Sequence, residues 1–216
     1  MKDKLSVSEE VQKIDMQNYY KFQAKIYDAT RWIFLFGRNA ILKKIPLDRE
    51  ASLQILEVGC GTGVNLRKMV HLFPNATLTG LDVSADMLAK AKQRLQPYQN
   101  RVTLLHEAYQ KGETKFAGKF DVILFSYCLS MVNPHFNQLI EQTLIDLKPD
   151  GYIAVVDFHD TPSRVYKKFM RSNHVRLDGH LLPILYQYFS PTYSRVRKGW
   201  FGIWEYMLFV GQKKGN

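Results

Sequence analysis

Between residues 53 and 158 the chain alternates short continuous apolar runs with longer segments whose apolar positions recur at spacings of three and four. The runs at 53–58, 77–82, 102–106, 120–126 and 152–158 predict strands. The segments between them predict helices, one running to about residue 73, one capped by Ser84 and running to about 96, and one opened by Asn133-Pro134 and running to about 147. Pro74-Asn75, Gly112, Gly118 and Lys148-Pro149-Asp150-Gly151 punctuate the pattern as turns. Strands alternating with helices at this spacing predict a parallel sheet with helices on both faces. The flanks depart from the rhythm. Residues 15–42 carry a helical pattern on Tyr19, Phe22 and Ile26, crowded by Tyr20, Tyr27, Trp32 and Phe36, after a polar segment expected to be frayed. Beyond residue 158, residues 164–174 read as helical and 181–189 as an apolar, aromatic stretch. Residues 193–198 and 204–212 read as two strands joined through 199–202, the expected antiparallel edge of the sheet.

A chain of 216 residues that is 46% hydrophobic can bury one substantial core, which favours one domain with an appendage. The expected division is a helical cap or lid at 1–50 and a single α/β domain at 51–216, whose portion 161–216 is basic. The two cysteines, Cys60 and Cys128, fall at predicted strand ends, as buried reduced thiols do. The N-terminus is charged and polar and its longest apolar run, 32–36, is too short to span a bilayer, so a cytoplasmic location is expected. Net charge is +10 and unevenly spread: residues 51–160 hold ten Lys/Arg against eleven Asp/Glu, residues 161–216 ten against two. A face this basic implies an anionic partner, a nucleic acid or an anionic membrane surface, unless it serves solubility alone.

The one stretch with explicit chemistry is Glu57-Val58-Gly59-Cys60-Gly61-Thr62-Gly63-Val64-Asn65, a strand end that breaks into alternating glycines before a helix begins. Glycines let the backbone turn sharply and pass close to a ligand, and the helix start presents unpaired N–H groups. This is a cofactor cradle. A dinucleotide fingerprint wants a further glycine where the chain has Val64 or, starting from Gly61, Leu66, which argues against nicotinamide and flavin cofactors.

Together with Leu81-Asp82-Val83-Ser84 and Leu147-Lys148-Pro149-Asp150-Gly151-Tyr152, that loop resembles the class I S-adenosylmethionine-dependent methyltransferases over roughly residues 50–160. The resemblance implies a Rossmann-like, seven-stranded, mostly parallel sheet with an antiparallel C-terminal edge, helices on both faces and an N-terminal helical cap. It implies S-adenosylmethionine as cofactor and S-adenosylhomocysteine as product. Asp82 would accept hydrogen bonds from the ribose hydroxyls, unless it serves as a helix N-cap. Gly59, Gly61 and Gly63 would admit the methionine moiety, with Glu57 answering its ammonium. Val83 and Met87 would wall the adenine, and Glu107-Ala108 match the acidic position facing the adenine amino group, with Glu where Asp is commoner. Ser126, Tyr27 and Arg31 complete the expected cofactor set, Arg31 toward a carboxylate or a lipid phosphate.

The segments Ala24-Lys25-Ile26-Tyr27-Asp28-Ala29-Thr30-Arg31-Trp32, Phe125-Ser126-Tyr127-Cys128-Leu129-Ser130-Met131 and Asp178-Gly179-His180-Leu181-Leu182 are similar to the bacterial N-methyltransferases of betaine-lipid synthesis, which act on diacylglyceryl-homoserine, and to their phosphatidylethanolamine-methylating relatives. The same likeness extends to Phe34-Leu35-Phe36-Gly37-Arg38 and the C-terminal strand. It implies an amine-bearing lipid substrate and peripheral association with the inner face of the membrane; oligomeric state is left open. The acceptor ammonium must lose a proton, so base candidates belong at the carboxyl ends of strands four and five, where Tyr127, Asp157 and His159 fall, His159 being best matched by its ordinary pKa. Tyr127 could instead orient the amine. No metal site is expected. Methylation of RNA or DNA would also suit the basic C-terminus, but Ser126-Tyr127-Cys128-Leu129 lacks the Asn/Asp-Pro-Pro-aromatic motif of amino-directed base methylation, and no nucleic-acid partner is expected. A non-catalytic cofactor-binding membrane module and transfer of the cofactor's aminocarboxypropyl group stay open.

Overall fold

The apolar runs pair edge to edge. In the computed structural model, which describes residues 35–214, seven strands form one sheet. They are β1 (Gln54–Val58), β2 (Thr77–Asp82), β3 (Val102–His106), β4 (Phe120–Ser126), β5 (Leu147–Phe158), β6 (Phe189–Gly199) and β7 (Trp204–Lys213). Their order is β3-β2-β1-β4-β5-β7-β6. The first five run parallel; β7 is antiparallel to β5, and β6 antiparallel to β7. Six α-helices lie among the described residues: α1 (Arg38–Lys43), α2 (Val64–Leu72), α3 (Ala85–Leu95), α4 (Phe136–Asp146), α5 (Arg164–Ser172) and α6 (Leu181–Tyr188). No helix among the described residues is long and apolar enough to cross a membrane.

Successive side chains of a strand point to opposite faces, so a strand that is apolar throughout must be covered on both. Ile55, Val122, Leu124, Ala154 and Val156 face a core closed by α1, α2 and α3, through residues such as Ile41, Leu66 and Ala91. Leu56, Ile123, Phe125, Ile153 and Val155 face a second core closed by α4 and α6, through Leu139, Ile140, Leu181 and Leu185. The chain winds outward from β1 to β3 in one direction and from β4 in the other. The topological switch point, where the loops after neighbouring strands diverge and leave a crevice, therefore lies at the carboxyl ends of β1 and β4.

Three expectations need correction. Of the helical pattern expected at 15–42, residues 35–37 are not helical and α1 starts after Gly37, whose φ is 79° and where a Cβ would come within 2.7 Å of the Tyr206 ring of β7; residues 15–34 lie outside the described residues. The turn expected at 148–151 lies within a longer β5: Leu147 pairs with Phe120 before an irregularity, and Asp150 takes the left-handed conformation, φ 63°. The apolar stretch at 181–189 is mostly the helix α6, in which Leu181 and Leu185 point one turn apart into the second core and Pro183 occupies the first turn, where its missing N–H costs nothing. Of the cap expected at 1–50, the described part shares the core of the rest of the chain: Ile41, Leu42 and Ile45 are buried, and Phe36 packs against Trp204 and Tyr206 at centroid distances of 6.1 and 6.0 Å.

Because Leu185 is fully buried under β7 and β6, Leu185→Ala should lower unfolding free energy by about 2–5 kcal/mol in urea titration. A loss below ~0.5 kcal/mol would mean that α6 does not close the second core.

Candidate functional site

The loop after β1 is folded by backbone and carboxylate together. Gly59, Gly61 and Gly63 all have positive φ, at 69°, 54° and 74°. A Cβ at Gly63 would approach Leu95 Cδ1 to 2.8 Å, so this position excludes side chains by both conformation and contact. The Cys60 amide donates to Leu81 O at 2.9 Å, and the Gly61 amide to Asp82 Oδ2 at 2.7 Å, tying the loop to the end of β2. The other oxygen of Asp82 accepts from the Ser84 amide at 2.9 Å. The helix cap itself is Ser84, whose Oγ accepts from the Met87 amide. Asp82 thus fastens two backbone turns, and a carboxylate so engaged still has lone pairs for ligand hydroxyls.

Glu57 ends β1 only 1% exposed. Its Oε1 accepts from Asn65 Nδ2 at 2.7 Å, and Asn65 Oδ1 accepts in turn from Arg38 Nε at 3.1 Å. Oε2 is buried with no hydrogen-bond partner. Burial pushes the Glu57 carboxyl up to about 7, against the pull of the Asn65 hydrogen bond and the Arg38 charge. At the end of β3, Glu107 pairs through Oε2 with Lys115 and leaves Oε1 buried and unpartnered. Val83 is half-buried, Met87 and Ser126 are buried, and Ala108 is exposed. Two buried, unsatisfied carboxylate oxygens suit a ligand that brings an ammonium to one and an amine to the other. The residues present therefore fit the methionyl and adenine ends of the expected cofactor.

The three base candidates separate in the fold. Tyr127, φ 55°, is 2% exposed; its ring packs edge-on against Phe158 at 4.8 Å, and its hydroxyl donates to Phe36 O at 2.8 Å. Burial pushes its pKa far up. Through that bond Tyr127 anchors the segment entering α1. Asp157 is fully buried, and its oxygens accept from the amides of Cys128 (3.1 Å), Ser130 (3.2 Å) and Phe158 (2.8 Å). Burial raises its carboxyl to about 6, and its oxygens are held by the loop it organises.

His159 remains at the end of β5, half-buried, with Nδ1 inaccessible and unpartnered. Its ring lies over Gly179, where a Cβ would come within 3.3 Å of Cε1. The next residue, His180, sits edge-on to Phe136 at 4.6 Å and bonds through Nδ1 to Asp178 Oδ1 at 2.5 Å. A carboxylate only accepts, so Nδ1 carries the proton and Nε2, buried and unpartnered, is the acceptor. Burial holds the His180 pKa below its ordinary value. Sequence reading named neither Arg38 nor Asn65 nor the Asp178–His180 pair as site residues. The Glu57-to-Asn65 spacing within the loop and helix start was the signal for Asn65; the others required the fold. Tyr27 and Arg31 lie outside the described residues. Among the described residues no group of three or more His, Cys, Asp or Glu is placed to hold a metal ion.

Residues 56–153 match the family model described as a methyltransferase domain. The demethylmenaquinone methyltransferase of Tropheryma whipplei is 30% identical over 73% of this chain and 64% of its own length. The matched segments cover 52% of the length of a malonyl-[acyl-carrier protein] O-methyltransferase of Acetivibrio thermocellus and 64% of the Tropheryma whipplei enzyme, so the chain spans less than two thirds of these relatives. Among solved structures, the 1,6-didemethyltoxoflavin-N1-methyltransferase of Burkholderia thailandensis, bound to its substrate and S-adenosylhomocysteine, superposes with a TM-score of 0.71 at 15% identity, covering 97% of this chain and 90% of that one. Phosphoethanolamine N-methyltransferase 2 of Haemonchus contortus, bound to phosphomonomethylethanolamine and S-adenosylhomocysteine, gives a TM-score of 0.73 at 18% identity over 92% of this chain and 60% of that one. At these identities the structural likeness establishes the fold.

Glu57 offers a test of the site's electrostatics. Its folded pKa, about 7, lies above its unfolded value, so the unfolded state ionises first and stability is lost as pH rises from about 4.5 to 7. Relative to the wild type, Glu57→Gln should therefore gain up to roughly 3 kcal/mol across that window in denaturant titrations. A difference that is flat with pH would mean that Glu57 ionises freely in the folded protein.

Proposed function

We propose that this chain carries a class I, S-adenosylmethionine-dependent methyltransferase domain and transfers methyl groups from S-adenosylmethionine to the amino group of a membrane-lipid headgroup, diacylglyceryl-homoserine or phosphatidylethanolamine. The observation that carries the donor half is the pair of buried, unpartnered carboxylate oxygens, Glu57 Oε2 in β1 and Glu107 Oε1 just after β3. When bound, the cofactor supplies an activated methyl group on a sulfonium. The chain's task is to hold the donor, strip the acceptor of a proton and exclude water. Glu57 takes the amino-acid ammonium, with Asn65 and Arg38 fixing its other oxygen. Asp82 keeps Gly61 and Ser84 in place and turns its remaining lone pairs to the ribose. At the acceptor side His159 is the base. Its unpartnered Nδ1 is inaccessible, so the proton goes to Nε2 or follows a small side-chain movement.

Two observations support an amine on an anionic surface. The acceptor side is built from the quarter of the chain that holds ten Lys/Arg against two Asp/Glu, and each basic residue near an anionic leaflet contributes on the order of 1 kcal/mol. The Haemonchus contortus relative in fold is named for N-methylation of an ethanolamine derivative.

Incubation with labelled S-adenosylmethionine and vesicles containing diacylglyceryl-homoserine or phosphatidylethanolamine should place label in the lipid. Label found only in RNA, or only in a quinone or carboxylate acceptor, would replace this reading. Asp82→Ala should weaken cofactor binding by about tenfold or more, ~1.4 kcal/mol, in calorimetry; unchanged affinity would remove Asp82 from the cofactor site.

A further inference from the structure

Two adjoining elements near the acceptor side leave large apolar side chains in solvent. The first is α5, Arg164–Ser172, whose apolar arc is wider than the core beneath it: Met170 is buried and Tyr166 half-buried, but Val165 is 82% and Phe169 60% exposed. The second is the connection between β6 and β7, where Trp200, Phe201 and Ile203 are exposed and Phe201 stands fully in solvent, at 103%. Trp200 and Phe201 both have positive φ, 37° and 51°, a conformation that side-chain-bearing residues avoid. A turn that holds two consecutive aromatics there and points one wholly outward is strained to present them.

The two elements are fastened together. The Tyr166 ring stacks on Trp204 at 5.6 Å and meets Phe169 at 6.4 Å, while Thr161 Oγ1 donates to Ile203 O at 2.5 Å. Trp204 in turn is seated against Gly199, at the base of the turn. Both adjoin the acceptor side: Lys167 pairs with Asp160 at 2.9 Å, and the His159 amide donates to Glu205 O at 2.9 Å. Around the apolar residues lie exposed cations, Arg164, Lys168 and Arg171 on α5 and Arg197 and Lys198 on β6.

We propose that the turn at 200–203 and the outer face of α5 form one docking surface for an anionic phospholipid bilayer, with Phe201 and Ile203 inserted among the acyl chains and the α5 cations at the phosphates. Aromatic and aliphatic tips rimmed by Lys and Arg match the interfacial layer of such a membrane. Nucleic acid would use the cations and leave the apolar tips in water. A two-fold dimer through this face would set like charges against each other. The orientation this gives, His159 turned toward the leaflet, rests on the lipid-headgroup reading; the docking itself does not.

The test uses the full chain and sucrose-loaded phosphatidylcholine vesicles with and without phosphatidylglycerol. The wild type should sediment with the anionic vesicles and release with salt. The double variant Phe201→Ser, Ile203→Ser should bind about tenfold or more weakly with cofactor affinity unchanged. In the wild type, lipid-borne quenchers should quench tryptophan emission, and Trp200→Phe should remove that quenching; this readout holds even if the double variant is poorly folded. Full vesicle binding by a folded double variant, or quenching that persists in Trp200→Phe, overturns the proposal. So does binding to RNA without binding to vesicles, or a concentration-dependent dimer that the double variant abolishes. Vesicle docking without methylation of any lipid amine would uphold the surface while overturning the headgroup reading.

Discussion

A carboxyl group at the end of a central strand is expensive to bury, and the way Glu57 is buried organises its surroundings. Water is excluded from it, so one oxygen is satisfied by Asn65 from the first turn of α2, and Asn65 is held by Arg38 from the segment before β1. The other oxygen is left unsatisfied. A cation beside that oxygen would remove the deficit, and in the proposed function the ammonium of the cofactor's amino-acid end takes that place. The loop must then pass tightly around this point, and its glycines and the Asp82 carboxylate are what allow it to.

The other rim is built by the same economy of polar groups. Asp157 is an acid buried in the interior: the amides of Cys128 and Ser130 fold the segment after β4 around it, and the adjacent Phe158 amide donates to its other oxygen. Tyr127 points inward for a similar reason, its hydroxyl satisfying the carbonyl of Phe36. Both residues stand at strand ends, and both hold distant segments of the chain in place. His159 and His180 differ because each retains a buried nitrogen without a partner, and His180 is held in one tautomer by Asp178.

Charge and apolar exposure meet at the same end of the molecule. The sheet core is close to electrically balanced, whereas the chain beyond β5 carries most of the net +10. In α5 and the β6–β7 turn this positive charge borders side chains that the two cores do not cover. A protein that had only to remain dissolved would keep the charge and bury or replace Phe201.

The alternation of strand and helix, the glycine cradle with Asp82 and Glu107 beyond it, and the basic C-terminal quarter were legible in the chain itself. Each is a local property: a hydrophobic period, a backbone conformation only glycine adopts readily, or a running sum of charge. The tertiary structure decided what depends on residues distant in sequence. Arg38 reaches Asn65 across 27 positions, Tyr127 reaches Phe36 across 91, and Asp157 closes on Ser130 across 27. Whether a titratable side chain is spent on the fold or left for chemistry is settled by which amides, carbonyls and charges the fold brings to it. That is why Tyr127, Asp157 and His159, all strand-end residues, differ in their surroundings: the first two hold hydrogen bonds across the fold, whereas His159 keeps Nδ1 buried without a partner. The same reason explains why α6 was hidden in an apolar stretch: its helical face is defined by Leu181 and Leu185 only once a second core exists for them to enter.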